Sequence, residues 1–196
     1  MTRIIGGEAG SLRLASAATV TRPTSDRVRE ALFSRIEAHR ELEGACVLDL
    51  FAGTGALGLE AASRGASAIW LVDKHRGALQ VIRANIATLS TALSRAVAFT
   101  TIASTVSSFL RSEPTTQADL VFIDPPYDLE DAELNQVLQD LVPWLNSEAW
   151  VIVERSSRSS EPHWPAGLDP LPEKSYGDTT LYVAVAGEKG SQPPLS

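Results

Sequence analysis

The sequence predicts an α/β fold with a largely parallel sheet. Three features of the 196-residue chain predict it. Apolar runs of strand length alternate repeatedly with helix-like stretches. A glycine-rich turn follows the first of these runs. The residues able to do chemistry fall just after such runs, where parallel sheets bind ligands.

The elements follow in order. Residues 2–6 and 11–15 flank a turn holding Gly6, Gly7 and Gly10, a hairpin pattern. Arg22-Pro23-Thr24 is a rigid loop, because proline fixes φ. Ser25 or Asp26 can cap a helix running to about Arg40, with Val28, Leu32, Phe33 and Ile36 on one face. Residues 46–51 are an apolar run ahead of glycines and predict a buried parallel strand. A helix over 56–64 follows, and Gly65 ends it. A strand over 68–72 closes at Asp73. The helix over 75–89 puts Leu79, Ile82, Ile86 and Leu89 on one face. The alternation continues with a strand over 96–102, a short helix over 104–111, a strand over 119–123, a helix over 130–141 and a strand over 149–153. Residues 156–172 carry four prolines and are expected to be irregular. Residues 173–175 and 180–186 flank Tyr176-Gly177-Asp178-Thr179 and predict a final antiparallel pair. The polar tail over 187–196, with Pro193-Pro194, is expected to be disordered.

Composition narrows the class. The hydrophobic fraction of 44% and charged fraction of 21% are those of a soluble globular domain. No apolar run approaches the roughly 18 residues of a membrane span, and the N-terminus lacks a signal-peptide core. Cys46 is the single cysteine, so no intrachain disulfide forms. His39, His75 and His163 are dispersed, and no metal site is expected. A cytoplasmic location fits these features. The net charge of −7 argues against a nucleic-acid partner, but its distribution does not. Residues 1–40 carry seven arginines against four acids, so a local basic face remains available to RNA.

The first strand runs into Asp49-Leu50-Phe51-Ala52-Gly53-Thr54-Gly55-Ala56-Leu57-Gly58. Gly53 and Gly55 allow a tight turn and close backbone approach to a ligand. The helix behind them presents free amides. Gly53, Gly55 and Gly58 also satisfy a dinucleotide pattern that is weak by itself. Asp73, at the end of the second strand, can accept both hydroxyls of a ribose, a feature shared by NAD and S-adenosylmethionine sites. Asp49 separates the two. A carboxylate beside the loop repels a diphosphate and attracts the ammonium and sulfonium of S-adenosylmethionine. Blander roles for these acids are a bond from Asp49 to the loop's own amides and an N-cap at Asp73.

Asp124-Pro125-Pro126-Tyr127 follows a buried strand and is the most specific signal in the chain. Its prolines stiffen the loop and donate nothing. Asp124 and the Pro125 carbonyl are then two acceptors for the two N–H groups of an exocyclic amine. Holding both turns the nitrogen lone pair toward a methyl donor. An ionised Asp124 stabilises the charge developing on that nitrogen. Tyr127 offers a face on which an unpaired base can stack.

Together these segments resemble the class I amino-methyltransferases of nucleic acids. Arg3-Ile4-Ile5-Gly6-Gly7, the stretch from Arg22-Pro23-Thr24-Ser25-Asp26-Arg27 through Phe33, and Tyr176-Gly177-Asp178-Thr179 narrow the resemblance. They are similar to the RsmD family of bacterial 16S rRNA guanine-N2 methyltransferases, from residue 3 to about 186. The resemblance implies a Rossmann-like class I methyltransferase fold. That is a seven-stranded, mostly parallel sheet with helices on both faces, plus a small N-terminal β-hairpin and helix. It implies an RNA-facing extension over 1–40, a methyltransferase domain over 41–186 and a tail over 187–196. It implies methyl transfer from S-adenosylmethionine, leaving S-adenosylhomocysteine, to the N2 of one guanine (family position 966) in 16S rRNA. The substrate is an assembled or assembling small ribosomal subunit, and the enzyme is expected as a monomer.

Carried over by position, Asp49, Gly53, Gly55 and Asp73 hold the cofactor. Thr24, Phe51, Ala52, Thr54, Lys74, Ala103 and Ser104 are the further cofactor candidates. Asp124, Pro125 and Tyr127 engage the guanine. Arg3, Arg13, Arg22, Arg27 and Arg29 are the candidate RNA contacts, and the 22–33 segment closes over the cofactor. One departure stands out: Ile102-Ala103-Ser104 lacks the acid many members carry near the cofactor's adenine. Adenine recognition then falls to backbone groups or the Ser104 hydroxyl. The alternative reading is a DNA adenine-N6 or cytosine-N4 methyltransferase, because the same loop serves any exocyclic amine.

Overall fold

Cys46–Leu50 forms β3, the strand on which the molecule is organised. Its Val47, Leu48 and Leu50 are fully buried because both faces of the sheet are covered, as parallel strands require. The computed structural model describes residues 2–16 and 25–188. Beside β3 lie β4 (Ala68–Asp73) and, outside it, β5 (Ala98–Ala103). On its other side come β6 (Ala118–Ile123) and β7 (Leu145–Ser156), all five strands being parallel. Two antiparallel strands, β9 (Thr179–Ala186) and then β8 (Leu168–Tyr176), complete a seven-stranded sheet on the β7 side. Strand order thus reverses between β3 and β6, and a crevice opens beyond their carboxyl ends.

Helices cover both faces. One face packs against α1 (Asp26–Glu37), α2 (Ala56–Ser63) and α3 (Arg76–Ser90). The other packs against α4 (Val106–Leu110) and α5 (Asp131–Leu141). Ser25 caps α1, its hydroxyl accepting from the Val28 amide at 3.3 Å. Leu32, Phe33 and Ile36 of α1 are buried at helical spacing, and the Phe33 ring lies 5.6 Å from that of Phe122 on β6. The N-terminal helix therefore shares one core with the sheet.

β1 (Thr2–Arg3) and β2 (Arg13–Leu14) form the expected hairpin, with Arg3 directly opposite Arg13. The hairpin is fastened to α2 by Glu60, a fully buried carboxylate that accepts from the amides of Ile5 at 2.6 Å and Gly6 at 2.8 Å.

Two expectations need correction. The fifth parallel strand does not stop at 149–153: β7 runs from Leu145 to Ser156, and its register against β6 shifts between Ala118 and Leu120. The stretch over 156–172 is not irregular throughout, since β8 begins at Leu168 and passes through Pro170 and Pro172. An edge strand tolerates proline because its outer amides need no partner. The ladder to β9 shifts register between Leu171 and Lys174, absorbing Pro172. Arg22, Thr24 and residues 189–196 of the tail lie outside the described residues.

Candidate active site

A cleft of about 1050 Å³ opens where β3 and β6 end. That is the upper end of ordinary ligand pockets, enough for a nucleoside cofactor and part of a second ligand. Phe51, Gly53 and Gly55 all adopt positive φ (61°, 58° and 77°), so the chain coils tightly as it leaves β3. Gly53 opens to the cleft, and a side chain there would meet only the Phe51 carbonyl, at 3.9 Å. Gly55 faces inward: a Cβ would come within 2.9 Å of Leu71, and the residue does not line the cleft. Its role is to let α2 start close against the sheet.

Asp49 is 2% exposed and lines the cleft. Its Oδ2 accepts from the Gly58 amide at 2.9 Å. A Cβ on Gly58 would lie 3.1 Å from that oxygen and 2.9 Å from Ile69, so glycine permits the contact. Burial, then the neighbouring Asp73 charge, push the Asp49 carboxyl up to about 7, against the lowering effect of the Gly58 amide. Asp73 organises the loop: Oδ2 accepts from Gly53 N at 2.9 Å and Oδ1 from His75 N at 2.8 Å. Asp73 does not cap α3, whose N-cap residue is His75, and each of its carboxylate oxygens keeps a second lone pair for a ligand.

Phe51, Ala52, Thr54, Lys74 and Ser104 also line the cleft, whereas Ala103 stands outside it. The Ser104 hydroxyl donates to the Thr105 carbonyl at 3.0 Å, so it is already engaged. The wall beside it is built by residues the sequence reading passed over, Thr105, Val106 and Ser107. Thr105 caps α4, its hydroxyl accepting from Ser108 N at 3.1 Å, and a Thr just before an apolar run is the signal that marks it.

Asp124, Pro125, Pro126 and Tyr127 leave β6, the strand paired with β3, and line the same cleft. Tyr127 is 66% exposed, a flat ring presented to solvent. The loop is closed by Leu129 N donating to Pro126 O at 3.0 Å. Behind it, Arg155 donates to the Leu129 carbonyl at 3.2 Å and to Asp131 Oδ1 at 2.7 Å. Glu154 and Arg155 line the cleft and were missed, because the predicted strand ended short of them.

The candidate RNA contacts divide. Arg3, Arg13 and Arg27 are exposed. Arg29 is corrected: only 1% of its side chain is exposed, and it borders the cleft. Helical spacing turns it inward with Val28 and Leu32. Among the described residues, no cluster of three His, Cys, Asp or Glu could hold a metal ion.

The chemistry of this cleft fits S-adenosylmethionine. A buried acid lines it, a second acid has lone pairs left over, and an open glycine admits close approach. Comparison with known proteins agrees. A family described as Conserved hypothetical protein 95 matches residues 2–185. Ribosomal RNA small subunit methyltransferase D of Escherichia coli K12 is 38% identical over 176 residues, covering 89% of this chain and 85% of that protein. The protein of the same name from Haemophilus influenzae is 34% identical over 158 residues, or 80% and 78%. The solved structure of the yhhF protein of E. coli superposes with a TM-score of 0.82 at 32% identity, covering 96% of this chain and 99% of that one. A magnesium protoporphyrin IX methyltransferase from Synechocystis, solved with bound SAM, shares the fold alone, with a TM-score of 0.63 at 14% identity. The chain belongs to the RsmD family, that of ribosomal RNA small subunit methyltransferase D.

Proposed function

We propose that this chain transfers the methyl group of S-adenosylmethionine to the exocyclic N2 of one guanine in 16S rRNA. The substrate in this reading is an assembled or assembling small ribosomal subunit, and the enzyme works as a cytoplasmic monomer. Among the described residues no helix is long and apolar enough to cross a membrane. The observation that carries the reading is the meeting of Asp124-Pro125-Pro126-Tyr127 with Asp49 and Asp73 in one cleft. The ribosomal substrate is suggested by the names of the E. coli and H. influenzae relatives.

Bound there, S-adenosylmethionine supplies a methyl group on a positively charged sulfur. Asp73 receives the ribose hydroxyls and Asp49 the ammonium. Asp124 and the Pro125 carbonyl accept the two N–H groups of the guanine amine and aim its lone pair across the cleft. Asp124 stabilises the charge that develops on nitrogen and, in this reading, receives the proton the amine gives up. Tyr127 stacks on the base. Residues 1–40 form the RNA-facing extension and 41–186 the catalytic domain. Two arginines directly opposite on a hairpin repel one another, and a polyanion relieves that repulsion, which supports Arg3 and Arg13 as RNA contacts.

The test is methyl transfer from labelled S-adenosylmethionine to small subunits lacking the modification, followed by nucleoside analysis. Label in N2-methylguanosine of 16S rRNA is expected. Label absent there but present in N6-methyladenine of added DNA would replace this reading with the DNA one.

A further inference from the structure

Glu154 lies near the carboxyl end of β7 and lines the cleft. β7 runs parallel to β6 with Val153 opposite Ile123, so the next residues along, Glu154 and Asp124, come side by side. Neighbouring strands are about 4.8 Å apart, within the span of one base edge. Side chains alternate along β7. Val153 and Arg155 turn to the face covered by α5, where Arg155 donates to the Leu129 carbonyl and to Asp131. Glu154 therefore shares the other face with Ile152 and with Leu181, its cross-strand neighbour on β9. The remaining acids of the cleft are placed differently. Asp49 and Asp73 belong to β3 and β4, and Asp128 and Glu133 are exposed at the lip, where water screens them. Glu154 is half-buried and adjoins the residue read as holding the amine.

The three amines that such a loop can serve differ in the ring atom beside them. Guanine N2 stands beside N1–H, a donor. Adenine N6 stands beside N1 and cytosine N4 beside N3, and both of these are acceptors. We propose that Glu154 accepts the N1–H of the target guanine while Asp124 and the Pro125 carbonyl hold its amine, and that it thereby selects guanine over bases whose amine adjoins a lone pair. The assignment rests on the methyltransferase reading above. An adenine or cytosine in the same pose sets a ring lone pair against the carboxylate, acceptor against acceptor, and a site built to take a hydrogen bond rejects a ligand that lacks the donor. Asp124-Pro125-Pro126-Tyr127 alone leaves the choice of base open, and Glu154 closes it through the Watson–Crick edge.

The test is single-turnover methyl transfer from labelled S-adenosylmethionine to small subunits reconstituted with 16S rRNA that carries guanine or 2-aminopurine at the methylated position. 2-Aminopurine keeps the amine at C2 and has a lone pair in place of N1–H. The native enzyme is expected to prefer guanine by at least about tenfold. In Glu154→Gln, with folding checked by thermal melting and S-adenosylhomocysteine binding by calorimetry, the preference falls to within about twofold, because an amide accepts from N1–H or donates to its lone pair. A native preference that survives in Glu154→Gln belongs to O6, which the analogue also lacks, and overturns the assignment. Equal native rates on the two bases overturn it without any variant and leave the methyltransferase reading standing. No transfer to the guanine subunits sinks that reading and this assignment with it. Should Glu154→Gln fail to fold, Glu154→Asp decides: an undiminished preference with the carboxylate drawn back by one carbon overturns the assignment.

Discussion

Asn85 donates through its side-chain nitrogen to the carbonyl of Thr54 at 3.0 Å. The same amide brackets Ala15, donating to its carbonyl at 3.0 Å and accepting from its amide at 2.8 Å. One residue of α3, 1% exposed, thus fixes the glycine loop and the chain just after β2. Asn85→Ala leaves a buried carbonyl without its donor and is expected to cost about 2 kcal/mol of stability. It is also expected to loosen the glycine loop that lines the cleft. Denaturant unfolding reads the first effect, and calorimetry with S-adenosylhomocysteine reads a several-fold loss of affinity as the second. Unchanged affinity alongside lost stability would confine Asn85 to a folding role.

Asp49 sets a pH dependence of stability. Its folded value of about 7 lies above the ordinary 3.8, so the folded chain holds a proton that the unfolded chain releases. Its contribution to stability is full below about pH 4 and is lost as pH rises through 7. Asp49→Asn removes that loss while keeping an oxygen for Gly58. The variant is expected to melt higher than the native protein at pH 8 and to match it near pH 4. It binds the cofactor more weakly at both. Cofactor affinity of the native protein rises with pH across 7, where the carboxylate forms.

Asp124→Ala is expected to hold cofactor affinity within a few-fold and to abolish turnover. The acid lines the cleft after β6, whereas Asp49 and Asp73 belong to β3 and β4. Single-turnover methyl transfer alongside calorimetry checks both halves. Turnover at the native rate would remove Asp124 from the mechanism.

The proposed stacking on the base calls on the ring of Tyr127 rather than its hydroxyl. Tyr127→Phe is expected to behave as native. Tyr127→Ala raises the KM for the small subunit about tenfold, from the loss of one stacking contact of about 1–3 kcal/mol. A deficit in Tyr127→Phe as large as that in Tyr127→Ala would shift the role to the hydroxyl.

Arg27→Glu is expected to weaken RNA binding more at low salt than at high salt, because an exposed cation acts through screened attraction. Filter binding across a salt series reads the slope. A loss independent of salt would point to a structural cause.

Much of this was legible in the chain. Ser25 ahead of Val28, Leu32, Phe33 and Ile36 announces α1, since a cap and a helical stripe are both local signals. The wall of Asp124 and Tyr127 is equally readable, because its residues are contiguous. The misses are non-local. Pro170 and Pro172 argue against a strand until β8 is known to lie at an edge. Arg155 becomes part of the cleft only because β7 outruns β6, which no periodicity reports. Arg29 counts as a surface charge in composition and as a buried one in space. The turn of α1 decides between them, together with the Arg3 carbonyl contributed by the hairpin.

The grip of Glu60 on the amides of Ile5 and Gly6 has a bearing on biosynthesis. Those partners are separated by 55 and 54 residues of chain. The hairpin is translated ahead of its anchor, which follows only after β3 and the first turn of α2. It stays without the Glu60 carboxylate until that helix is made.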